Sequence, residues 1–262
     1  MNAYSTARAH KRHEFRFIPY LLAMLALMAA TSPATAQSAD EILEIIIDSQ
    51  RGGETSSATV TMEVMRPDET RVFQIESVSD GFERSLILVT APPRDAGQAF
   101  LQDGDNLFLF NPRLKRTLRI PPSGRNDSFL GSDISFNDLG GRDFEEDYSA
   151  EITAENDSTI ELTLIPGELA PTPYGKVVLT ADANNNYRPL EYLYFDQRET
   201  AVRRILFSDF VQVEDLFFPQ HIEVENLLEE GEKTVVTISD LELGVEVDEN
   251  CFKETALERG CN

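Results

Sequence analysis

Histidine, cysteine and positive charge are scarce in this chain. Of 262 residues only three are histidine and two cysteine, and 23 Lys+Arg stand against 46 Asp+Glu. His10 and His13 fall near the amino terminus, which leaves His221 alone in the alternating segment FPQHIEVEN. A lone histidine on a strand is more often packed or surface-exposed than catalytic, and a triad also needs a placed nucleophile and an orienting acid. No G-x-S-x-G elbow is present. Two tail cysteines and one distant histidine give no zinc spacing. The spaced acidic loop of a calcium site is missing, as is a glycine-rich phosphate cradle before a Lys-Ser/Thr pair. The expectation is a protein that is not an enzyme and carries no metal or cofactor.

Residues 1–36 read as a secretory signal peptide. Arg8, Lys11, Arg12 and Arg16 precede the apolar run FIPYLLAMLALMAA, and ATA stands before Gln37 as a small-residue cleavage site. The alternative is an uncleaved anchor, but the run is shorter than the roughly 18 to 20 residues a spanning helix needs. No cysteine follows it until Cys251, so the usual site of amino-terminal lipid attachment is missing. Residues 37–262 are therefore expected as one soluble mature domain. Cleavage removes four basic residues and Glu14, leaving 19 basic against 45 acidic residues and a formal charge of −26. Such a surface repels nucleic acid and anionic bilayers at long range. Cys251 and Cys261 suit a disulfide in an exported compartment. Two independent thiols on a frayed end remain the other reading.

One helix opens the mature chain. SADEILEIIIDSQRGG has Ser38 or Asp40 as N-cap, Ile42, Leu43, Ile46 and Ile47 at helical spacing, and Gly52-Gly53 as its stop. From there nearly everything alternates with period two. ATVTMEV, RVFQIESV, RSLILVTAPP, QAFLQ, NLFLFNP and LKRTLRIPP lead to residue 122, and YSAEITAEN through KTVVTISDLELGV resume the pattern beyond Gly141. Hairpin-length links join successive segments. The fold class is mainly β, a large antiparallel meander forming an open (incomplete) barrel with a few helices plugging or covering an apolar cavity. Only the 38–51 helix and the stretch 128–141 are available as plugs.

That stretch, SFLGSDISFNDLGG, is too apolar for an exposed loop and too interrupted for a regular element. Phe129, Leu130, Ile134 and Phe136 are candidates for a lid, with Gly131, Gly140 and Gly141 as hinges. A static structural plug is the alternative. Just before it lies a strip from Asn106 to Asn126 without an acid, in which Arg113, Lys115, Arg116, Arg119 and Arg125 supply five cations. It reads either as a charged strand edge that blunts aggregation or as a docking patch for an acidic partner or an anionic headgroup. The acidic run DFEEDY at 143–148 reads as a solvated charge run.

Five blocks in order carry a family resemblance: SLILVTAPPRDAGQAFL, DGDNLFLFNPRLKRTLRI, SFLGSDISFNDL, YGKVVLTADANNNYRPLEYLYFD and LFSDFVQVEDLFFP. Over about residues 38–260 the chain resembles the outer-membrane lipoprotein-sorting (LolA-like) proteins, in the branch labelled TP-0789-like. The resemblance implies an incomplete antiparallel barrel with helices across its mouth and an apolar cavity for acyl chains. It further implies a periplasmic carrier of lipid or of lipoprotein acyl chains, a monomer working with an inner-membrane exporter and without nucleic acid. A non-carrier scaffold subunit of an exporter or envelope complex is the competing reading. Leu86, Leu88, Phe108 and Phe110 are the candidate cavity residues, although SLILV and NLFLF are apolar on both faces and leave the parity open. Mass measurement of the protein from a periplasmic fraction is expected to give a chain beginning at Gln37. Full-length chain in the inner membrane would contradict export and cleavage.

Overall fold

The computed structural model describes residues 37–261 except 52–54, 82, 140–143 and 214–215. The expected signal segment 1–36 and Gly52, Gly53, Gly140 and Gly141 lie outside the described residues. Ser38 starts α1 (Ala39–Arg51) by a reciprocal cap, its backbone N–H donating to Glu41 Oε2 at 2.8 Å and its Oγ accepting from the Glu41 N–H at 3.2 Å. Ile42, Leu43, Ile46 and Ile47, at helical spacing, are all buried. Their stripe fastens α1 to the sheet.

All thirteen alternating segments are strands. The first series is β1 (Thr55–Met65), β2 (Thr70–Asp80), β3 (Arg84–Ala91), β4 (Ala99–Asp103), β5 (Asn106–Asn111) and β6 (Arg116–Ile120). After the short helices α2 (Phe136–Leu139) and α3 (Phe144–Asp147) come β7 (Tyr148–Glu155), β8 (Thr159–Pro166), β9 (Lys176–Asp182), β10 (Arg188–Phe195), β11 (Ala201–Val213), β12 (Leu216–Asn226) and β13 (Lys233–Leu243). A helical turn at Glu249–Phe252 and α4 (Ala256–Arg259) end the chain.

These strands form one antiparallel sheet in the order β6-β5-β4-β3-β2-β1-β13-β12-β11-β10-β9-β8-β7. The order departs from a simple meander in one respect. The first strand sits in the middle, pairing with both β2 and β13, with Met62 opposite Phe73 on one side and Val236 on the other. The chain therefore runs out to one edge at β6, crosses through residues 121–147, and meanders back from the other edge at β7. The edges do not pair with each other, so the sheet is an open barrel.

Period two assigns each strand an inner face, which carries α1 and the crossover, and an outer face. Toward β7, α1 covers Leu162, Leu164, Val177 and Leu179 on the inner face. Toward β6, Phe129, Leu130, Ile134, Phe136 and Leu139 of the crossover pack with Met62, Phe73, Val89 and Phe100. The outer face of β3 to β5 is closed by the tail: Leu86, Ala99, Leu101 and Phe110 pack with Ala256 and Leu257, flanked by Leu88 and Phe108. This corrects the expected cavity lining. Leu86, Leu88, Phe108 and Phe110 point away from α1 and the crossover, and their neighbours of opposite parity, Ile87, Val89 and Leu107, face inward. Strands buried on both faces read as continuous apolar runs, which removes the alternation that would have fixed the parity.

The tail is held by chemistry as well as by burial. Cys251 and Cys261 are bonded to one another, with Cα atoms 4.8 Å apart. Arg84 donates to Glu249 Oε2 at 2.6 Å, pairs also with Asp80, and lies over the Phe252 ring at 4.9 Å. The hydrogen bond from Arg84 is the main cause that holds the Glu249 carboxyl below its ordinary value of 4.5. A depressed carboxyl stabilises the fold fully above its unfolded value and loses that contribution as pH falls through the folded one. Acidification below about 4.5 is thus expected to lower the exchange protection of the amides at residues 251–257, measured against their intrinsic rates at each pH, before the central strands open. In Glu249→Gln the same amides are expected to exchange faster at neutral pH and to respond less to acid.

Candidate functional site

Between α1, the crossover and the middle of the sheet lies a cleft of about 420 Å³. Its floor follows from strand register. Phe207 lies opposite Ile222, Ile222 opposite Val236, and Val236 opposite Met62, so one apolar row crosses β11, β12, β13 and β1. A second row runs from Tyr192 through Ile205 to Val224. Phe207, Ile222, Val236, Tyr192, Ile205 and Val224 all line the cleft. Ile47 and Gln50 of α1 form one wall, where Gln50 Nε2 donates to the Tyr192 hydroxyl at 2.5 Å. Ile134, Asp138 and Leu139 form the opposite wall, and Ser79, Ser85 and Gln102 give a polar end.

The opposite wall is a strap, residues 128–139 of the crossover. Phe129 is 3% exposed and sits edge-on to Phe100 of β4 at 6.3 Å, while Phe136 stacks on Phe100 at 5.8 Å. Polar pins fix the strap at two further points. Asp133 accepts from Arg66 Nη1 at 2.9 Å and from the Thr234 hydroxyl at 2.7 Å, and its own N–H donates to Thr234 Oγ1 at 2.9 Å. Asp138 accepts from Arg203 Nη2 at 2.6 Å and Nη1 at 3.2 Å, a two-pronged pair with both side chains 11% exposed. Burial opposes the Arg203 charge, but Asp138, followed by Tyr174, outweighs it and raises the guanidinium pKa. Just before the first pin the carbonyl of Gly131 accepts from Arg66 and Arg71 at 3.0 and 3.1 Å. Gly131 has φ of +71°, and a Cβ there would lie 2.8 Å from Arg71 Nη2. The left-handed backbone is what disfavours a side chain here, while the guanidinium could swing aside.

The structure brings the four expected strap residues Phe129, Leu130, Ile134 and Phe136 together against the inner face. It sets the basic strip apart from them. Arg113, Lys115, Arg116 and Arg119 are exposed on and before edge strand β6, and Arg125 is half-buried, donating to the Asp105 carbonyl at 2.5 Å. His221 lies on β12 opposite Ser208 of β11 and Thr237 of β13. No group of three or more His, Cys, Asp or Glu that could hold a metal occurs among the described residues.

A family model described as an uncharacterized protein matches residues 81–259, more than half of the chain. Solved structures share the fold over nearly all of residues 38–261. A domain from Vibrio parahaemolyticus assigned to outer membrane lipoprotein sorting has TM-score 0.77 at 24% identity, covering 84% of this chain and 98% of that one. A DUF1329 family protein from Desulfovibrio piger has TM-score 0.76 at 20% identity, covering 85% and 100%. A LolA superfamily protein from Nitrosomonas europaea has TM-score 0.69 at 22% identity, covering 84% and 99%. At these identities the structural likeness is one of fold. No curated protein matches the chain. The chain belongs to the family that this model describes, and its fold is that of the LolA-like structures.

Within this LolA-like fold, the floor residues Ile222 and Val224 had a legible signal, since HIEVEN alternates cleanly, whereas RILFSDF carries Ile205, Leu206 and Phe207 in an unbroken apolar run. The pins had none. Arg66 and Asp133 are 67 positions apart and Arg203 and Asp138 are 65 apart, so only the tertiary fold joins them. Removing one member of a buried pair leaves the other charge uncompensated, at a cost of about 3–5 kcal/mol, whereas replacing both with apolar residues is often neutral. Urea unfolding is therefore expected to show Asp138→Asn destabilised by about that amount. The double variant Arg203→Met with Asp138→Leu is expected to recover most of the loss.

Proposed function

We propose that this protein is a periplasmic carrier that holds lipid, or the acyl chains of a lipoprotein, in the cleft beneath the strap, and passes them between membranes without catalysis. The observation that carries the reading is the apolar row from Phe207 through Ile222 to Val236, which faces the cleft. The cleft volume of about 420 Å³ falls within the range of small-molecule sites, roughly 300–1,000 Å³. Each buried methylene contributes about 0.8 kcal/mol, so roughly ten give about 8 kcal/mol gross. Association costs of about 4–15 kcal/mol offset much of that. The balance is reversible binding, which a carrier needs in order to unload.

In this reading the strap is the lid and α1 the fixed wall. Residues 37–262 act as one domain and as a monomer, delivering cargo in partnership with an inner-membrane exporter. The alternative, an accessory subunit without cargo, draws support from the basic β6 edge, which lies away from the cleft.

Replacing Phe129 and Phe136 with serine separates a lid from a plug. Each aromatic contact contributes about 1.5–3 kcal/mol to whichever state buries it. If the strap is a lid, affinity for a fluorescent fatty acid is expected to fall while the thermal midpoint moves little. A large fall in midpoint with unchanged affinity per folded molecule would make the strap structural core and overturn the lid.

A further inference from the structure

The basic edge of the sheet lies apart from the cleft and differs from it in chemistry. Elsewhere in the described residues Arg66, Arg71, Arg84, Arg94, Arg188, Arg203, Arg204 and Lys233 each pair with a carboxylate. Arg113, Lys115, Arg116 and Arg119 pair with none among the described residues, as is also true of Arg125, Lys176, Arg198, Lys253 and Arg259, but these four crowd into positions 113–119 without an acid between them, although acids outnumber bases two to one in this chain. They flank Leu114 and Leu118, which are 63% and 49% exposed. Charge alone suffices to blunt a sheet edge. Exposed leucines do the opposite, so edge protection does not account for the pattern.

We propose that β6 is a docking strand for an acidic, extended polypeptide segment of a partner protein, which pairs along it and lengthens the sheet by one strand. β6 ends the sheet, with β5 as its only strand neighbour. Register defines the partner's sequence. Ile120, beside the strap cluster, shows that the even positions Arg116 and Leu118 share the inner face. Arg119 lies opposite Phe108 and shares the outer face with it. An antiparallel segment therefore needs an acid opposite Arg119, an apolar residue opposite Leu118 and a second acid opposite Arg116. Read from its amino end, the motif is acid, apolar, any residue, acid.

The same geometry disfavours a bilayer as the occupant. A bilayer meets one face of a strand, whereas these cations divide between two, and the net charge of −23 repels an anionic surface. The free edge β7 of a second copy is also acidic, with Glu151 opposite Thr163 and Glu155 opposite Ile160 across a register shift in the strand, so it is the competing occupant that a self-association measurement separates.

The test uses the mature protein and a labelled peptide containing Thr-Glu-Leu-Thr-Glu, with Thr-Lys-Leu-Thr-Lys as control and phosphatidylglycerol vesicles in a parallel arm. The glutamate peptide is expected to bind, to weaken with added salt, and to slow amide exchange at residues 116–120. Arg116→Glu with Arg119→Glu is expected to weaken it by about tenfold or more. Arg116→Gln with Arg119→Gln, checked by an unchanged thermal midpoint, guards against misfolding. Equal binding of the lysine peptide, vesicle binding without peptide binding, self-association through the two edges, or no binding overturns the proposal. Fatty-acid affinity measured on the same variants is expected to stay unchanged, so failure of the docking strand is distinguishable from failure of the carrier reading.

Discussion

A thirteen-stranded sheet whose edges do not meet exposes an inner face that water must not wet. Two elements cover it. The helix α1 seals the side toward β7 with four buried aliphatic residues, and the crossover seals the side toward β6 with two phenylalanines packed on Phe100. The crossover owes its composition to topology. Because the first strand lies in the middle, the chain must return from one edge to the other, and the covered route is across the inner face. A segment on that route has to be apolar enough to be buried and broken enough to turn.

How the strap is held bears on whether it moves. Apolar contacts alone would accept several registers, whereas the Asp133 and Asp138 pins require their own partners on β13 and β11 and after β1. Buried ion pairs are a weak source of net stability because desolvation opposes the Coulombic gain. Under the proposed carrier reading their use would lie elsewhere: they would define one closed position and be exchanged for water if the strap lifted.

Much of the fold was legible in local sequence. All thirteen strands announce themselves by period two or by short apolar runs, and α1 by Ser38, Glu41 and its isoleucine stripe. Strand order was not legible, because nothing in ATVTMEV marks it as central rather than peripheral. Parity failed at SLILV and NLFLF because Leu257, 1% exposed, and Ala256 bury a face that other strands leave wet. Two cysteines mark the tail as a closed end, but nothing in its short, mixed sequence signals that it packs on the sheet. The clean alternation around Ile222 and Val224 was the better guide to the cleft, since a strand with one wet face reports which side is dry.

A carrier stands or falls on occupancy. Native mass spectrometry of the mature protein, purified without detergent, reads it directly. A carrier is expected to show an added mass matching one or more acyl chains, displaced by excess fatty acid. A bare polypeptide mass that takes up no fatty acid on incubation would contradict that function.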